Sequence, residues 1–373
     1  MLTFLHTADW QIGRQYARFL PEDAALLFEA RFQAITKIAQ LAVEKRVDFV
    51  VVAGDIFDSQ TLSDRQVLRC FEALKAYPGP WLLLPGNHDA ALSESVWTRA
   101  QRLQAVPEQV HLLLSPEPFS LTELNAVVLP GVLRQRQSYQ DLSAWFDEVP
   151  VQAGVYRVGL AHGSVQGVLA EHIDSHNPIA ADRAQRAQLD YLALGDWHGL
   201  RQINERTWYS GTPEPDRFKD NQPGHVVLVS LSEPGAVPVV EAIPTARYHW
   251  HSIRYEFTHD EQVQDLAQSL QAYDLHSVLE LSLSGHLSLA ATQTLDDMLL
   301  KAQARVRSLE IRREDLHLSA SEDDICELNA DGYVHEALLA LQAKQAQEGP
   351  QSLVAGDALL LMAQILKQLR QDK

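Results

Sequence analysis

The chain has 373 residues, 46% of them hydrophobic, enough for one large domain and a smaller module with cores of their own. A formal charge of −18 argues against broad, charge-driven adhesion to nucleic acid, and no apolar run approaches the roughly 20 residues that span a bilayer. Two distant cysteines, Cys70 and Cys326, imply neither a disulfide framework nor a cysteine zinc site, and the start shows no signal-peptide pattern, so a cytoplasmic protein without membrane association is expected.

In chain order, residues 2–8 read as a strand that ends at Asp9, followed by the loop Trp10-Gln11-Ile12-Gly13. Leu27, Ala30, Ala34, Ile38 and Leu41 recur at spacings of three and four, which predicts an amphipathic helix over 22–46. The apolar run 47–53 is then a buried strand that stops at Gly54-Asp55-Ile56-Phe57-Asp58. A helix is expected from Ser63, a suitable N-cap, to Tyr77, and Leu82-Leu83-Leu84 leads to Pro85-Gly86-Asn87-His88-Asp89. Between 90 and 150 the pattern loosens, with helices near 93–105 and 138–147 and short strands near 110–114 and 126–129. Strands at 155–161 and 191–194 end at His162 and at Asp196-Trp197-His198, and further strands are expected near 206–210, 225–231 and 237–243. Alternating strands and helices followed by mostly strands suggest an α/β fold of two packed sheets flanked by helices.

The composition changes after about Pro244. Strands near 248–257, 276–285 and 308–318 with helices near 260–273 and 290–307 form a small α/β module, and helical stretches near 333–346 and 351–370 follow. Three domains are therefore expected: 1–244, a small α/β cap at 245–320 and a helical tail at 330–373.

Five apolar runs stop at Asp9, Asp55, Asn87-His88, His162 and Asp196-x-His198. Open α/β sheets place ligands at the carboxyl ends of their strands, and Asp, Asn and His together make an oxygen-rich site with some imidazole, suited to manganese or iron and acceptable to zinc. Two such ions about 3.5–4 Å apart support in-line attack at phosphorus, so phosphoester hydrolysis is the expected reaction. Asp58 is read as bracing its loop and His6 as structural. Trp10 and Trp197 can stack a base or pack behind the ligands, and Arg14, Arg18, Arg134, Arg136, Arg201, Arg206, Arg217 and Lys219 are candidate phosphate contacts.

Asp9-x-Gln11, Gly54-Asp55-Ile56-Phe57-Asp58, Gly86-Asn87-His88-Asp89, Ala161-His162-Gly163 and Gly195-Asp196-x-His198-Gly199 resemble the ordered motif set of calcineurin-like metallophosphoesterases. His6-Thr7-Ala8-Asp9-Trp10, the segment Tyr209-Ser210-Gly211-Thr212-Pro213-Glu214 and the added C-terminal module resemble DNA repair exonucleases of the SbcD type. The resemblance implies that Asp9 and His198 hold a first metal with help from position 11, that Asp55 bridges, and that Asn87, His162 and position 196 hold a second. His88 would stabilise charge on phosphate or protonate the leaving oxygen, and Asp89 would orient His88. Two positions depart from the family pattern: Gln11 and Asp196 stand where histidines are usual, a change that favours harder ions such as manganese or magnesium. The implied function is metal-dependent DNA exonuclease activity in repair, with two divalent ions, Mn²⁺ foremost and Mg²⁺, Fe²⁺ or Zn²⁺ as others. The implied partners are DNA, a coiled-coil ATPase of the SbcC type on the tail, and a second copy of the chain. The alternatives are a phosphodiesterase for nucleotides or other small diesters, and a catalytically weak protein that binds DNA ends within an ATPase complex.

Overall fold

A computed structural model of the protein describes residues 1–167, 176–318 and 332–345, with scattered positions from 347 to 365. Two compact units are formed, Met1–Tyr248 and His249–Lys373.

The first unit begins β1 (Leu2–Thr7), α1 (Pro21–Glu44), β2 (Phe49–Ala53), α2 (Asp64–Leu74), β3 (Trp81–Leu84), α3 (Val96–Arg102) and β4 (Val110–Leu112). Every residue of β2 is buried, which is why Phe-Val-Val-Val-Ala carries no polar alternation. Phe49, Val51 and Ala53 face the second sheet, while Val50 and Val52 pack against helix residues such as Ile35, Ile38 and Phe71. Ser63 caps α2 in a reciprocal box with Gln66, as its position before the apolar stripe foretold.

The chain continues through β5 (Phe119–Leu121), β6 (Ala126–Gly131), β7 (Tyr156–His162), β8 (Ser164–Val165), β9 (Pro178–Ile179), α4 (Arg183–Arg186), β10 (Tyr191–Gly195), β11 (Arg201–Asn204), β12 (Thr207–Tyr209), β13 (His225–Leu231) and β14 (Val239–Pro244). One six-stranded sheet has the order β14-β13-β1-β2-β3-β4 and the other β11-β12-β10-β7-β6-β5. The strands that carry the motifs are parallel to their neighbours, β1 to β2 to β3 in one sheet and β7 to β10 in the other. Phe4, Phe49, Val51 and Leu82 interdigitate with Val158, Leu160, Tyr191 and Ala193 between the sheets. The expected two-sheet α/β sandwich flanked by helices is thus the observed one.

The looser region departs from expectation. The helix foreseen at 138–147 is a short 3-10 turn, Ala144–Glu148, because Ser138 N donates to Asn177 Oδ1 and Asp141 Oδ1 accepts from Ser143 N. These local bonds give the backbone an alternative to a helix. β5, β8, β9 and β11 are too short to show a period and were not foreseen.

The second unit contains β15 (His249–Phe257), α5 (Gln262–Leu270), β16 (Ser277–Leu287), α6 (Leu289–Gln303) and β17 (Ser308–Leu318), a three-stranded parallel sheet with both helices sharing its core. The helix α7 (Tyr333–Gln345) follows. Much of the stretch 351–370, read as a last helix, lies outside the described residues, as does Cys326.

Candidate metal centre

β1, β2, β3, β7 and β10 bring their carboxyl ends together. Asp9 N donates to Gly54 O at 3.0 Å, Gln11 N to Asp55 O at 2.9 Å, and Asp196 N to Asp9 Oδ1 at 3.1 Å, so three motif loops are stitched through their backbones. Asp9, Gln11, Asp55 and Asp196 all adopt positive φ, at 54°, 51°, 53° and 97°. Such conformations cost energy for residues other than glycine and cluster where surrounding structure enforces them. Gly54, at φ +88°, cannot be replaced cheaply, since a Cβ there would stand 2.3 Å from His162 Nδ1.

Asp9, Asp55 and His162 are buried, with ligating atoms within 4.8 Å of one another. Asn87 joins them: its Oδ1 lies 2.8 Å from His162 Nε2. His162 Nδ1 lies 2.8 Å from the Ala53 carbonyl, which can only accept, so Nδ1 carries the proton. A neutral His162 therefore points a lone pair at the amide oxygen of Asn87, with Asp55 Oδ1 at 3.5 Å and Asp196 Oδ1 at 3.7 Å. A proton or a cation must sit among these acceptors. Burial alone pulls the His162 pKa down, but Asp55, Asp9 and Asp196 outweigh it and raise it to about 9. Burial raises Asp9 to about 6 against the pull of His198 and His162. The donor set fits a divalent cation.

Gln11 is fully buried, and its Nε2 donates to Asp55 Oδ2 at 2.8 Å, leaving Oε1 without a hydrogen-bond partner. His88 N donates to Asp55 Oδ1 at 2.9 Å, and the His88 ring lies beside the same carboxylate, with Nε2 3.9 Å from Oδ2. The ring is held through Nδ1, 2.9 Å from the Asp58 carbonyl, rather than by Asp89. Asp89, expected to orient His88, turns back into the fold and accepts from Phe57 N at 3.0 Å and Gly86 N at 2.6 Å. Burial first, then the Asp55 charge, raise Asp89 to about 7 despite those bonds.

His198 stands apart from this group. Its Nδ1 is 3.1 Å from Asp216 Oδ2 and 2.8 Å from Arg217 Nη2, which also lies 3.2 Å from Nε2. Burial would raise Asp216, but His198, Arg31 and Arg217 hold it well below the usual carboxylate range. Asp216 and Arg31 escaped sequence reasoning. Arg31, buried on α1, donates to Tyr16 Oη at 2.7 Å, Trp10 O at 2.8 Å, Glu214 O at 3.2 Å and Pro215 O at 3.4 Å, tying the first and last motif loops to a helix. The only sequence signal was an arginine on the apolar stripe of α1.

The other expectations divide. Asp58 braces its loop by accepting from Arg14, and His6 is structural, between Tyr191 Oη and Leu194 O. Trp10 is buried against Trp81, whereas Trp197 is half-buried, with Lys219 Nζ 4.2 Å and Arg201 Cζ 5.2 Å from its ring centre. Arg206 is not placed as a phosphate contact, since it donates to the carbonyls of Asp190, Gly235 and Ala236. Among the described residues no helix is long and apolar enough to cross a membrane.

A two-sheet α/β sandwich whose parallel strand ends present Asp, Asn and His to a cation is the framework of a metal-dependent phosphoester hydrolase. The chain belongs to the calcineurin-like phosphoesterase family, whose model matches residues 2–230. It is 28% identical to the uncharacterized metallophosphoesterase YhaO of Bacillus subtilis over 207 residues, 53% of this chain and 48% of that one. It is 25% identical to the DNA double-strand break repair protein Mre11 of Methanosarcina acetivorans over 328 residues, 84% of this chain and 50% of that one. Similarity to the SbcD component of the nuclease SbcCD of Bacillus subtilis is 24% over 290 residues, 68% and 69% of the two chains. The chain spans about half the length of the first two of these relatives.

Proposed function

We propose that the chain is a metal-dependent phosphodiesterase that degrades DNA from its ends, with residues 1–244 the nuclease domain and 245–320 a cap. The observation that carries this reading is the convergence of Asp9, Asp55, Asn87 and His162 around acceptors that require a cation. The names of the Mre11 and SbcCD relatives support DNA as the substrate class.

Asp9, Asp55, Asn87, His162 and Asp196 would hold divalent metal, with Mn²⁺ or Mg²⁺ favoured over softer ions by the carboxylate and amide oxygens. When bound, such ions activate water and neutralise charge on the phosphoryl group. The residues themselves position the substrate. The His88 ring, fixed through Nδ1 on the Asp58 carbonyl, presents Nε2 beside Asp55 and supplies a proton to the leaving oxygen. Trp197, flanked by Arg201 and Lys219, offers a stacking face with cations for the neighbouring phosphates. The helical tail at 330–373 is the docking site for a coiled-coil ATPase partner. Deletion of the tail that leaves such binding intact removes that assignment.

Hydrolysis of end-labelled single- and double-stranded DNA with Mn²⁺, Mg²⁺ or Zn²⁺, with Asp55→Asn as control, tests the reading. Metal-dependent nucleotide release that vanishes in Asp55→Asn is expected. Cleavage of bis(p-nitrophenyl) phosphate without DNA cleavage would instead indicate a small-diester enzyme, which the charge of −18 favours. DNA binding with no turnover of either substrate would indicate a protein that only binds ends.

A further inference from the structure

We infer that the cleft retains one divalent ion, held by Asp9, Asp55, Asn87, His162 and Asp196, and that the guanidinium of Arg217 takes the second cation's place at His198. The inference rests on the metal-dependent reading above and concerns the ion count and the role of Arg217.

The donors are distributed unequally. Asp9, Asp55 and His162 form the one cluster of three or more carboxylate or imidazole donors among the described residues, and Asn87 and Asp196 lie against the same His162 nitrogen. His198 is outside it. At the position between the two halves Gln11 offers an amide, and that amide donates its N–H to Asp55 Oδ2 instead of sharing in ligation. A bridging carboxylate oxygen that already accepts a proton there is a poorer bridge.

Positive charge at the His198 end is already supplied. Arg217 Nη2 lies within 3.2 Å of both His198 ring nitrogens, and its Nε and Nη2 both contact the buried carboxylate of Asp216, at 3.1 Å and 3.0 Å. Arg14 Nη1 adds a second cation 3.4 Å from Asp216 Oδ2. Arg217 is anchored by Asp216 yet has 45% of its side chain exposed, so the fork can accept a phosphoryl oxygen without leaving its carboxylate. A guanidinium there neutralises phosphoryl charge as a cation would, and its own charge repels a divalent ion from His198.

The test is the number of Mn²⁺ ions retained per full-length chain after titration with MnCl₂ and removal of unbound metal, measured by elemental analysis with electron paramagnetic resonance. One ion with an isolated Mn²⁺ signal is expected for the unmodified chain. Arg217→Ala should retain two, with the second bound at least about tenfold more tightly than before, while Arg217→Lys, which keeps the charge, should retain one. Two coupled ions in the unmodified chain, no retained ion, or a count unchanged by Arg217→Ala would overturn the inference. Two ions together with diester cleavage would leave the phosphodiesterase reading standing, whereas one ion without any cleavage would remove that reading and leave the ion count intact. Arg217 lies at the surface, so a melting temperature close to that of the unmodified chain serves as the folding control.

Discussion

The two ends of the cleft come from one set of motif loops and differ in what they collect. Around His162 the chain gathers three carboxylates and an amide oxygen, while around His198 it gathers Asp216, Arg217 and Arg14. Two unit charges about 4 Å apart are worth about 4 kcal/mol at the effective dielectric of a protein surface, so one arginine is enough to separate the two ends in cation affinity. The difference teaches that ligand-type side chains at strand ends do not by themselves set an ion count. The charges packed behind them take part.

The largest effect expected at the acidic end is from Asp55→Asn, which should lower diester hydrolysis by about a thousandfold, the scale for loss of a preorganised charge-stabilising group. A steady-state assay with bis(p-nitrophenyl) phosphate checks this, and activity within about tenfold of the unmodified chain would break the comparison. Arg31→Met acts at the other end, on stability. It strands the carbonyls of Trp10, Glu214 and Pro215 and should cost about 3 kcal/mol in denaturant unfolding. Asp196→Ala and His198→Ala sharpen the contrast further. The first should weaken retention of Mn²⁺ by about tenfold or more and the second far less, and isothermal titration decides whether the order is reversed.

His6 provides a control outside both ends. Burial lowers its pKa from 6.5 to about 3, against the hydrogen bond to the Leu194 carbonyl. The unfolded chain takes up a proton near pH 6.5 that the folded chain refuses until about pH 3. Stability is thus fully present above about pH 6.5 and is lost as pH falls, by up to about 1.4 kcal/mol per pH unit within that window. His6→Gln should flatten this part of the curve in denaturant titrations at about pH 4 to 7. The smallest change expected is from Lys219→Ala, a few-fold weakening of DNA binding with a salt slope reduced by about 1.

How much of this was legible follows from the range of the interactions. Asp9, Asp55, Asn87, His162 and Asp196 each end an apolar run, so a local pattern exposed them, and the same runs revealed the two sheets. The roles of Asp216, Arg31 and Arg217 depend on partners as far as 184 positions away, such as Pro215 for Arg31, and no local period encodes that. Asp89 was assigned to His88 because they are adjacent. Consecutive residues in a tight turn point different ways, and Asp89 found Gly86 and Phe57 instead. Asp141, Ser143 and Asn177 likewise replaced the helix foreseen at 138–147 with side-chain bonds that no hydrophobic stripe reports.

Arg31 also sets how the cleft comes apart. Because one guanidinium holds both the loop after β1 and the segment 214–215 to α1, neither loop can open without exposing a buried charge. The amide protons of Gln11 and Ile12, donated to Asp55 O and Ile56 O, should therefore exchange with deuterium as slowly as those of β2, through opening of the whole first unit rather than local fraying.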